Sequence, residues 1–204
     1  MISGNLYIVT APSGAGKTSL VKALIESTND ITASISHTTR PMRPGETNGK
    51  DYHFVSKDEF LNMEKAGDFI EHAEVFDNYY GSSRRGMNDQ LKLGSDVILE
   101  IDWQGAQQVK KVFPKSTGIF ILPPSKETLI ERLHSRGQDS KEVIQRRTEE
   151  AITEMAHYHE FDYLIINDDF QTALAEFKSI ISAARLKIKT QKQQHAKLIS
   201  QLLD

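Results

Sequence analysis

The sequence predicts an α/β fold in three layers, with a parallel core sheet between helices, and three observations carry that prediction. Short apolar runs alternate with helical patterns, one run feeds a glycine-rich loop and then a helix, and two polar segments interrupt the alternation. The apolar runs are Leu6 to Thr10, Val97 to Ile101, Ile119 to Leu122 and Tyr163 to Ile166. Near-continuous apolarity over so few residues is what a strand buried on both faces requires. Helical spacing follows at Lys17 to Glu26, Gly105 to Phe113, Lys126 to Arg136 and in a long stretch from Phe170, where Leu174, Phe177, Ile181, Ala184 and Ile188 share one stripe. The first half of that stretch is expected on the core. Its basic continuation and Leu198, Ile199 and Leu202 suit either a solvated tail or a homo-oligomer contact.

At 204 residues and 38% hydrophobic content the chain can bury one sizeable core. No apolar run approaches the roughly 20 residues of a membrane-spanning helix. The absence of cysteine excludes disulfides and thiolate metal sites. Residues 1–5 lead straight into the first strand without the zones of a secretion signal, so a cytoplasmic location is expected. A net charge of −3, from 25 basic and 28 acidic residues, argues against a general nucleic-acid binder. The 7 histidines show no metal-binding spacing.

The first interrupting segment, about Ile35 to Met87, holds Pro41, Pro44, Gly45, Gly49 and the alternating Tyr52-His53-Phe54-Val55, which suggests a small β-containing lobe. Within it Ser56 and Glu59 form a capping-box signature for a helix through about Ala66. The second, around Ser135 to Arg147, sets Gly137 among arginines between two helical patterns and has the make-up of a lid.

Leu6 to Thr10 runs directly into Ala11-Pro12-Ser13-Gly14-Ala15-Gly16-Lys17-Thr18 and then a helical pattern, the context that a P-loop requires. Gly14 and Gly16 let successive backbone N–H groups point inward, and the helix beginning near Lys17 adds the positive end of its dipole. Such a loop cradles polyphosphate, with Lys17 on the β and γ phosphates and the Thr18 hydroxyl placed for magnesium. The first glycine of the general pattern is Ala11 here, which is tolerated where no positive φ is needed.

Four further blocks follow: Ser36-His-Thr-Thr-Arg40-Pro-Met-Arg43-Pro-Gly-Glu46, Gly49-Lys-Asp-Tyr52-His-Phe, Phe69-Ile-Glu71-His-Ala and Asn78-Tyr-Tyr80-Gly81-Ser82. In that order they closely resemble the GMP-binding domain of guanylate kinases. The likeness continues through Leu99-Glu-Ile-Asp102-Trp-Gln-Gly105, Ile121 to Ser125, Arg132 to Arg147 and Ile166-Asn167-Asp-Asp169. The resemblance implies a P-loop NTPase fold with a core (about 1–34, 88–134 and 148–204), a GMP-binding lobe (about 35–87) and a helical lid (about 135–147). The activity it implies is ATP-dependent phosphorylation of GMP, and of dGMP, to GDP with magnesium, in purine nucleotide metabolism.

Residue by residue, the chemistry is consistent with that resemblance. Planar guanidinium groups match phosphate oxygens in pairs, so Arg40 and Arg43 suit the GMP phosphate, joined in the family by tyrosines matching Tyr52 and Tyr80. Glu71 resembles the acid that accepts guanine N1–H and the exocyclic amine, an edge adenine does not offer. Ser36 then serves the guanine O6 side, Gly81, Ser82 and Asp102 are carried over as further GMP contacts, and Asp102 also stands near the water shell of the metal. The family positions of Arg132, Arg136 and Arg147 meet the ATP phosphates on closure, and that of Asn167 helps hold the adenine end. Lys17, Arg40, Arg132, Arg136 and Arg147 form the implied catalytic set. At position 100 many relatives carry aspartate and this chain carries Glu100, whose role the resemblance leaves open.

Two rival readings can be weighed. Asp102-Trp-Gln-Gly105 after a strand also satisfies the Asp-x-x-Gly pattern of GTPase switches, but no Asn/Thr-Lys-x-Asp guanine signature occurs. Guanylate-kinase-like domains also serve as interaction scaffolds, yet such a role gives Lys17, Thr18 and the lid arginines no reason to coexist.

Overall fold

The computed structural model describes residues 4–75, 77–135 and 141–203. In chain order its elements are β1 (Leu6–Thr10), α1 (Lys17–Glu26), β2 (Ile31–Ala33), β3 (His37–Thr38), β4 (His53–Phe54), α2 (Lys57–Ala66), β5 (Phe69–Val75), β6 (Asn78–Ser83), α3 (Arg84–Lys92) and β7 (Asp96–Glu100). Then come α4 (Trp103–Val112), β8 (Thr117–Leu122), α5 (Lys126–Ser135), α6 (Lys141–Met155), a 3-10 turn (Ala156–Glu160), β9 (Tyr163–Ile166), α7 (Phe170–Arg185), α8 (Ile188–Gln194) and α9 (Ala196–Leu203).

Five strands form a parallel sheet in the order β2-β7-β1-β8-β9. The pleat of β1 explains how both faces are filled. Leu6 and Ile8 join Val97, Leu99, Met87, Leu91 and Val109 beneath α3 and α4, whereas Tyr7 and Val9 join Leu20, Leu24, Phe177 and Ile181 beneath α1 and α7. Because β1 carries later strands on both sides, the crevice beyond its carboxyl end is the place where such sheets bind ligands.

Two expectations need correction, and one strand has no signal in the sequence. The edge strand β2 was not legible, since Ile31-Thr32-Ala33 is too short to display a period. β9 is not buried on both faces: it closes the sheet with one neighbour, so only Ile165 is buried and Tyr163, Leu164 and Ile166 are exposed. The long final helix is three helices, and Ile188 lies exposed beyond the core-packed stripe of α7. That helix is pinned at its end by Arg185, whose Nε donates to Asp96 Oδ2 at 2.8 Å while Nη2 donates to the carbonyls of Asn29 and Asp30. Among the described residues no helix is long and apolar enough to cross a membrane.

The segment from Ile35 builds a second sheet, order β4-β3-β6-β5, with α2 against it. Ser56 caps α2 as the sequence predicts, its side chain accepting from the Glu59 N–H, and Gly67 at φ 75° ends the helix. Phe60 of α2 stacks on Phe69 of β5 with ring centroids 4.6 Å apart. Of the lid segment, residues 136–140 lie outside the described residues, and Lys141 onward is the start of α6.

Candidate active site

The loop from Ala11 to Thr18 takes the expected shape. Gly14 and Gly16 sit at φ 91° and 92°, and Gly16 caps α1 with no side-chain hydrogen bond, so the first-turn N–H groups keep their capacity for an anion. Lys17 Nζ reaches the Ile101 carbonyl at 3.5 Å. Glu100 hydrogen-bonds the Thr18 side chain; burial raises its carboxyl above the usual range, against the pull of Lys17 and Thr18.

Behind the loop stands Asn167, 5% exposed, whose Nδ2 donates to the Ala15 carbonyl at 2.6 Å. Its backbone carbonyl in turn accepts from Arg132 Nη2 at 3.1 Å. Asn167, expected at the adenine end, thus has its side-chain amide engaged in buttressing the loop. A Cβ on Gly16 would collide with that same Nδ2, a second demand for glycine there besides its φ.

In front of the loop opens a cleft of about 660 Å³. It brings together Ala11 to Gly14, Gly16, Lys17 and Thr18 with Ser36, Arg40, Arg43, Tyr52, Glu71, Tyr80, Asp102 and Arg147, residues scattered over most of the sequence. Glu46, Glu100 and Glu154 also line it. Ala15 is buried, Arg136 lies outside the described residues, and Gly81 belongs under the lobe, where Phe69 and Phe60 fill the space its Cβ would take.

Glu71 is 3% exposed and hydrogen-bonded to Ser82, whose hydroxyl lies 3.2 Å from that of Ser36. Burial pushes its carboxyl up to about 7, helped by the charge of Asp102 and opposed by Ser82 and Lys17. Asp102 caps α4, its Oδ1 accepting the Gly105 N–H at 2.7 Å. Gly105 in turn leaves room for the acid: a Cβ there would stand 2.6 Å from Glu71 Oε2.

Arg40 is held by a residue the sequence reading did not single out. Glu46 accepts from Nη1 at 3.0 Å and from Nη2 at 2.7 Å, and its Oε2 also accepts the Arg43 N–H at 2.7 Å. The bond to Arg40 keeps the Glu46 carboxyl below the usual range. The only signal in the sequence is a glutamate three residues after Arg43 in the same proline-bounded loop; the part-burial of Arg40, which demands a nearby carboxylate, shows only in the fold. Tyr52 lies 5.4 Å from the Arg40 guanidinium and faces Tyr80 edge-on at 6.0 Å; burial, then Tyr80, pushes its hydroxyl up to about 12.

A cleft that joins a P-loop to an arginine pair and a buried acid narrows the comparison with known proteins. The guanylate kinase family model matches residues 3–184. The chain belongs to the guanylate kinase family. It is 56% identical to the guanylate kinase of Pseudomonas fluorescens (strain Pf0-1) over 98% of both chains, and 55% identical to that of Photorhabdus laumondii over 100% of this chain and 99% of that one. The crystal structure of guanylate kinase from Anaplasma phagocytophilum superposes with a TM-score of 0.77 at 34% identity, covering 91% of this chain and 88% of that one. Membership of the guanylate kinase family disposes of the GTPase-switch reading, and Gly105 now has its own reason beside Glu71.

Proposed function

We propose that this protein transfers the γ-phosphoryl group of ATP to GMP, giving ADP and GDP, with dGMP as a second acceptor. The observation that carries the reading is Glu71: a buried carboxylate facing a cleft whose other walls are a P-loop and the Arg40–Arg43 pair. An acid in that position has two acceptor oxygens for guanine N1–H and the exocyclic amine, and Ser36 beside it serves O6. The phosphate then falls to Arg40, Arg43, Tyr52 and Tyr80.

Transfer of this kind requires positioning and neutralisation of charge rather than a protein nucleophile. An oxygen of the GMP phosphate attacks the γ-phosphorus in line, and the bond to the ADP oxygen breaks. Lys17 and Arg147 spread the charge that develops, and in our reading Arg136 joins them when residues 135–147 close as a lid and exclude water. Asn167 and Arg132 keep the loop in register from behind.

Among the described residues no cluster of three or more His, Asp or Glu could hold a metal alone. The oxygen donors Thr18, Glu100 and Asp102 suit a magnesium ion held mainly by phosphates and water. When bound, it would neutralise phosphate charge.

The test is to incubate the protein with magnesium-ATP and each of GMP, AMP, CMP and UMP, then separate the products. The reading predicts GDP as the dominant diphosphate. Phosphate release with no diphosphate formed, or equal use of AMP, would refute it.

A further inference from the structure

Glu154 has no part in the scheme so far, yet it lines the cleft. It sits near the end of α6, seven residues after Arg147, so both side chains occupy one face of that helix. Its Oε2 accepts the Ser13 N–H at 3.3 Å, across 141 residues of sequence. That bond is long for an amide donor and readily replaced. An anion therefore rests on a backbone N–H of a loop whose purpose is to bind anions.

The charges around it locate it further. Glu154 feels Lys17 of α1, Asp102 at the head of α4 and Glu150 of its own helix, with Arg147 two turns back. Lys17 stands on the donor side and Asp102 on the acceptor side. Its bond to Ser13 and its place in the cleft wall put the carboxylate at the mouth of the loop that would seat the donor phosphates.

We propose that Glu154 is a positioning residue that holds the place of the donor's γ-phosphate and is displaced by it. The proposal rests on the kinase reading above. A diphosphate seated deeper in the loop, against Gly14 to Thr18, leaves the Ser13–Glu154 contact in place. A triphosphate brings a second anion to Ser13 and meets repulsion. The repulsion raises the energy of bound ATP more than that of the transition state, because the transferring group carries its charge away toward GMP. Burial holds the Glu154 carboxyl near 7, so at pH 8 it is largely ionised.

The experiment measures binding of magnesium-ADP and of a non-hydrolysable magnesium-ATP analogue at pH 8 without GMP, for the wild type, E154Q and E154D. Glutamine keeps an acceptor for Ser13 and removes the charge, so the triphosphate-to-diphosphate affinity ratio should rise about threefold to tenfold. E154D, which keeps the charge, should stay near the wild-type ratio. In turnover, E154Q should lower the KM for ATP and kcat together. An unchanged ratio in E154Q, an equal shift for both nucleotides, or an E154D ratio displaced as far as that of E154Q would overturn the proposal. Failure of the wild type to bind either nucleotide would instead refute the kinase reading, and the proposal with it.

Discussion

Glu71 and Gly105 are fitted to one another: the Oε2 of the acid lies 2.6 Å from the point where a Cβ on residue 105 would be. Gly105→Ala therefore tests the acid's placement without touching it. In a helix the change would ordinarily stabilise by about 0.8–1 kcal/mol. Here it should displace Glu71 and raise the KM for GMP about tenfold or more, a loss of at least about 1.4 kcal/mol, while the KM for ATP stays near its original value. Steady-state kinetics with each substrate varied would check this, and an unaltered KM for GMP would show that Glu71 is free to move.

Asn167→Ala addresses the other end of the cleft. It leaves the Ala15 carbonyl without the 2.6 Å donor that now satisfies it, so stability should fall by about 1–3 kcal/mol. The KM for ATP should rise and that for GMP should not. Thermal melts and paired kinetics would measure both, and a change confined to GMP would contradict the buttressing role.

These two positions show what the sequence could and could not disclose. The P-loop was legible because its chemistry is local: Gly14, Gly16 and Lys17 act within one turn of the chain. Glu71 became readable only through the blocks around it, since a single glutamate carries no signal of burial. The contact of Glu154 with Ser13 was hidden because it depends on how α6 packs across the loop, 141 residues away. The exposure of β9 was missed for a related reason: Tyr163-Leu164-Ile165-Ile166 has the composition of a central strand, and only the strand order makes it an edge.

The raised acids give a dependence on pH with a defined sign. Glu71 and Glu154 are each pushed by burial from 4.5 up to about 7, so between those values the folded chain keeps protons that the unfolded chain has released. Their contribution to stability is therefore fully present below about 4.5 and is lost as pH rises through about 7, on the order of 3 kcal/mol for Glu71. Chemical denaturation of the wild type and Glu71→Gln between pH 5 and 8 should show the variant gaining relative stability as pH rises. Guanine recognition runs the opposite way, because it needs the ionised acid. The ratio of kcat/KM for GMP to that for AMP should climb through about pH 7 and level off near pH 8, the phosphate titration common to both acceptors cancelling. A ratio independent of pH would separate Glu71 from the base.

The most direct measurement is that same ratio in Glu71→Gln at a single pH above 8. The amide nearly preserves size but offers one acceptor and turns a donor toward the N–H groups of guanine. The contacts of Arg40, Arg43, Tyr52 and Tyr80 with the phosphate remain for either acceptor. Losing a paired, charge-assisted contact in a closed pocket should cost about 2–5 kcal/mol of GMP transition-state binding, and so lower the GMP-to-AMP ratio by about 30-fold or more. Magnesium-ATP binding should be unchanged. A ratio equal to that of the wild type, with ATP binding intact, would contradict the assignment of Glu71 as the residue that reads guanine.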